Sequence, residues 1–107
     1  MLRFEPNVRI HYVTAELLPI LLNASMWSNR MGIAVVVNSI DDGTHGARTR
    51  HGLSNTVDLD TEGDRAEDLE SLFQYMRKVM PEGYDVVHET DHVHVERDPK
   101  RAEYRTP

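Results

Sequence analysis

Two stretches of the chain concentrate residues able to do chemistry. "RHGLSNTVDLD" runs from Arg50 to Asp60 and "ETDHVHVERD" from Glu89 to Asp98, and together they hold three of the six histidines. A catalytic zinc ion needs three protein ligands and one open position for water, and two imidazoles with one carboxylate meet that need. Such an ion lowers the pKa of its bound water to about 7. A neighbouring carboxylate can then take the water's proton. On residue type and spacing, His51, Asp58 and one of His92 or His94 are the candidate ligands, and Asp91 or Glu89 is the candidate base. With no cysteine in the chain, thiolate metal sites and disulfides are excluded.

The elements that must carry these residues follow from periodicity. Side chains alternate faces along a strand. Asn55–Asp60 alternates, so Val57 and Leu59 point one way and Thr56, Asp58 and Asp60 the other. In Asp91–Arg97, Val93 and Val95 oppose His92, His94 and Glu96 in the same manner. Between these strands, Leu69, Leu72, Phe73, Met76, Val79 and Met80 recur at helical spacing, predicting a helix over Asp64–Met80. Asp64 and Glu67 have the spacing of a capping box at its start. The helix supplies a core for the valines and Leu59, which leaves Asp58, His92 and His94 together on the opposite face. His51 can fold back over that face from the end of a long loop, Asn38–Arg50.

Upstream, Val8–Val13 reads as a strand and Leu18–Ser28 as a helix, with Pro19 in its first turn and Gly32 beyond its end. Ile33–Val37 reads as a buried strand, and Tyr84–His88 as a strand joined to Asp91–Arg97 by a turn at Glu89–Thr90. The predicted class is α+β: a small antiparallel sheet with helices on one face. A chain of 107 residues with 39% hydrophobic and 28% charged residues suits one globular domain. It is expected to span residues 1–98, with a polar tail over 99–107. Asp41 and Asp42 are expected to set a turn, and His11 and His88 to be structural or surface residues. The net charge of −6 argues against a nucleic-acid partner. No apolar run approaches the roughly 20 residues of a membrane span. "MLRFEPNVRI" has charge where a signal peptide needs an apolar stretch. The expectation is therefore a monomer made in the cytoplasm, without a membrane partner.

"TRHGLSNTVDLD" resembles the S-x-H-x-x-G-x-A-x-D motif of the zinc D-Ala-D-Ala carboxypeptidases and dipeptidases. That group includes the L-alanyl-D-glutamate endopeptidases of phage lysins and shares its fold with the hedgehog signalling domain. "DHVHVE" resembles the group's closing segment, and the likeness covers roughly Ile33 to Arg97. It implies Zn2+ held by His51, Asp58 and His94, with Asp91 as catalytic carboxylate and His92 helping to hold the oxyanion. His45 and Arg50 are the candidate substrate contacts. Thr49, Ser54 and Thr56 stand where the group has Ser, Gly and Ala. An alternative register makes His92 the ligand and Glu89 the base. The implied activity is cleavage of a peptide bond in the peptidoglycan stem peptide, at the cell wall after phage-mediated release or as part of a virion. The other reading is a zinc-binding interaction or structural module of the same fold, with no turnover.

Overall fold

The computed structural model of the protein describes residues 1–8, 15–41 and 55–97. Its elements are β1 (Leu2–Phe4), α1 (Leu18–Met31), β2 (Val35–Asp41), β3 (Asn55–Thr61), α2 (Ala66–Val79), β4 (Tyr84–His88) and β5 (Val93–Arg97). They build one five-stranded sheet in the order β1-β2-β3-β5-β4. The predicted α+β class holds, but the sheet is mixed, not purely antiparallel. β1 pairs with β2 in parallel, while β2/β3, β3/β5 and β5/β4 are antiparallel. β1 is three residues long and precedes the Val8–Val13 segment from which a first strand was expected. Val8 packs against the core outside any strand, and residues 9–14 lie outside the described residues, as does 98–107.

Both helices lie on one face of the sheet. Leu17, Ile20, Ala24 and Trp27 on the α1 side and Leu69, Leu72 and Met76 of α2 bury against Val35, Val37, Val57, Leu59, Val93 and Val95. Burial of a large apolar side chain is worth about 1.5–3 kcal/mol, so this layer holds the sheet against the helices, and among the described residues no helix covers its other face. The Trp27 indole N–H donates to Ser71 Oγ at 3.1 Å, tying α1 to α2. Pro19 sits in the first turn of α1, where no helical N–H bond is lost. Gly32 closes the helix with a left-handed φ of 72°, and its N–H bonds Ser28 O at 2.8 Å.

Two local expectations are corrected. The capping box does not form: Arg65 is the N-cap residue of α2, and no side chain caps it. Asp64 is instead drawn into the preceding turn, with φ 53° and its N–H on Thr61 O at 3.1 Å, and its carboxyl group bonds Asp60. β2 also continues to Asp41, through residues read as the start of a loop and as a turn. A bulge between Val37 and Ser39 breaks the alternation that would have marked Asn38–Asp41 as a strand.

Candidate metal centre

The sheet face away from the helices collects the polar positions of β3 and β5. Asp58 lies directly across from His94, and Thr56 across from Glu96. Directly opposed residues have Cβ atoms about 4.5–5.5 Å apart, so the pairing alone brings an imidazole to a carboxylate. Nδ1 of His94 is 2.8 Å from Oδ1 of Asp58, and Nε2 of His92 is 3.7 Å from the same oxygen. One ligand atom from each of Asp58, His92 and His94 falls within 4.8 Å of the others, so the three side chains could hold a metal ion. Their chemistry, two imidazoles and one carboxylate, suits a borderline cation that takes nitrogen and oxygen donors. All three are partly buried, neither sealed from solvent nor fully washed by it.

The atoms pointing away from this cluster are also engaged. His92 Nδ1 is 2.8 Å from Asp91 Oδ1, His94 Nε2 is 3.3 Å from Glu96 Oε1, and Ser39 Oγ donates to Asp58 Oδ2 at 3.0 Å. Burial acts to lower the pKa of His94. The hydrogen bonds and charges of Asp58 and Glu96 outweigh it, so the ring titrates above the ordinary 6.5. The hydrogen bond to His92 and that ring's charge hold the Asp91 carboxyl below its ordinary value. Asp60, next along the same face, is pushed up to about 6 by burial, by its bond to Asp64, and by the charges of Asp64 and Asp91.

The structure thus brings together Asp58, His92, His94 and Asp91 of the residues singled out in the sequence. His45, Arg50 and His51 lie outside the described residues. Glu89 sits in the β4–β5 turn, its N–H on His92 O at 2.9 Å. His88 is a packing residue, stacked on Phe73 with ring centroids 5.2 Å apart and 3.0 Å from Glu70 Oε1. Ser39 was missed, because the polar run around it carries no strand period. A cleft of about 500 Å³ between Arg3, Ser28, Ala34 and Glu62 does not touch the cluster. No described helix is long and apolar enough to cross a membrane. Comparison of the chain with protein-family models, curated proteins and solved structures finds no match.

Proposed function

We propose that the open sheet face binds one zinc ion and that the protein is a metal-dependent peptidase acting on peptidoglycan stem peptides. The observation that carries the metal site is the convergence of Asp58, His92 and His94 within 4.8 Å. Asp58 and His94 are ligands on this reading, and His51 is the third ligand by the motif resemblance. His92 is the third donor among the described residues. Zinc bound there would supply a Lewis acid for the scissile carbonyl and a water of lowered pKa. Asp91, whose side chain is 86% exposed at the end of the hairpin turn, accepts the proton and returns it to the leaving amine. His92, held by Asp91, faces the developing oxyanion. The cell-wall substrate rests on the resemblance of "TRHGLSNTVDLD" and "DHVHVE" alone.

A binding module without turnover is the second reading, and one observation favours it. The Asp91 carboxylate is already engaged by His92, which makes it a weaker base than a free carboxylate. The experiment is zinc titration of the purified protein followed by mass spectrometry of muropeptides from treated sacculi. The expected result is one zinc per chain, lost in Asp58→Ala and in His94→Ala, and new amine termini that disappear in Asp91→Asn. Retention of zinc in both ligand variants would refute the site. Zinc binding without new termini would leave the binding module. Loss of zinc in His51→Ala but not His92→Ala assigns the third ligand to His51; the reverse assigns it to His92.

A further inference from the structure

We infer that Ser39 is a positioning residue that orients Asp58 toward the metal, and that the β2 bulge exists in the fold to place it there. The inference rests on the metal site proposed above. The register of β2 against β3 runs from Val35↔Thr61 to Val37↔Leu59, then resumes at Ser39↔Asp58. Asn38 is therefore one extra residue. In an unbroken ladder Asn38 would stand across from Asp58, and Ser39 would turn inward across from Val57. A shift of one residue moves every later side chain to the other face. The bulge makes that shift: Ile40, 9% exposed, joins the core opposite Val57, and Ser39 emerges on the open face opposite Asp58.

There the Ser39 hydroxyl donates to Oδ2 of Asp58 at 3.0 Å. The other carboxylate oxygen, Oδ1, is the one that meets Nδ1 of His94 at 2.8 Å and Nε2 of His92 at 3.7 Å. The two oxygens are thus divided in role. One is tied to the scaffold, and the other is presented to the cluster. A free aspartate rotates about its terminal torsion, whose wells are broad, and ordering it on binding costs affinity. The serine makes that choice beforehand. Residues holding the outer atoms of metal ligands are worth 10–100-fold in metal affinity in general. His92 and His94 have such outer partners in Asp91 and Glu96, but those are charged carboxylates. Ser39 is the neutral one, and it comes from β2.

The test is the zinc dissociation constant, measured by competition with a chromophoric chelator, for the parent chain, Ser39→Ala and Ser39→Thr. Ser39→Ala should weaken zinc binding at least about 10-fold, and Ser39→Thr, which keeps the hydroxyl, should recover most of that loss. The melting temperature of metal-free Ser39→Ala should stay within about 3 °C of the parent, as for a surface substitution. An affinity in Ser39→Ala within about threefold of the parent's overturns the inference while leaving the metal site standing. So does a loss that Ser39→Thr fails to restore. Absence of zinc binding by the parent overturns both.

Discussion

Asp60 is where the charge on the open face works against the fold, and Asp60→Asn should make the metal-free protein more stable at alkaline pH. Its carboxyl is pushed from 3.8 to about 6, by burial first and then by Asp64 and Asp91. A raised carboxyl favours the protonated form in the folded state. Its stabilising contribution is therefore complete below 3.8, is lost as the pH rises through about 6, and is absent at pH 8. Undamped, that displacement corresponds to about 3 kcal/mol between the two protonation states. Asp60 is only partly buried, so screening by water leaves about 1 kcal/mol. Asparagine keeps the carbonyl that accepts the Thr61 N–H, now bonded to Asp60 Oδ1 at 2.7 Å, and removes only the charge. Thermal denaturation in the presence of a chelator should show Asp60→Asn melting about 4–8 °C above the parent at pH 8. The two proteins should converge as the pH falls through 6 toward 4. A variant no more stable than the parent at pH 8, or a gap that does not change with pH, would refute the reasoning.

Further outcomes bear on the site and the core. Because His94 titrates above 6.5 and only the neutral ring binds a metal, zinc affinity should fall steeply between pH 8 and pH 6. A flat profile from a chelator competition series would remove His94 from the ligand set. Trp27→Phe should cost about 1–3 kcal/mol in urea denaturation, since it deletes the indole bond to Ser71 and leaves space in a site only 1% exposed. A loss under about 0.5 kcal/mol would mean that α1 and α2 repack freely. Removing the Arg3–Glu62 ion pair, about half exposed on each side, should cost no more than about 1 kcal/mol despite its 2.9 Å contact.

The pattern of β3 and β5 was legible in the sequence because period-two alternation states both the element and its faces, although Asp91 and His92, read as the start of the last strand, fall in the turn before β5. Val57 and Leu59, like Val93 and Val95, are fully buried, and Asp58, His92 and His94 share the other side. α2 was legible for the corresponding helical reason. What escaped were features without a local period. β1 is too short to carry one, and its parallel pairing with β2 is a contact between residues over thirty positions apart. The bulge at Asn38 disguised the second half of β2, and with it Ser39. The capping box failed because Asp64 had a competing use in the turn, closed by Gly63 at φ 90°. Spacing gives a candidate cap but not the backbone angles that decide it.

The strand order has a consequence for how the cluster is assembled. β5 lies between β3 and β4, so the last hairpin must close on itself and also dock, through β5, on a strand formed far earlier in the chain. Asp58 and His94 are separated by 36 positions, and α2 lies between them. No fragment ending at α2 contains the cluster, and none lacking β3 can align it. An ion held there would be a removable cross-link across the docking of the hairpin, enclosing the helix in a loop that closes only in the native chain. Metal would then bind the folded state alone and stabilise it by mass action. The melting temperature would become a gauge of free metal, and release would be paced by how often the hairpin lifts from β3.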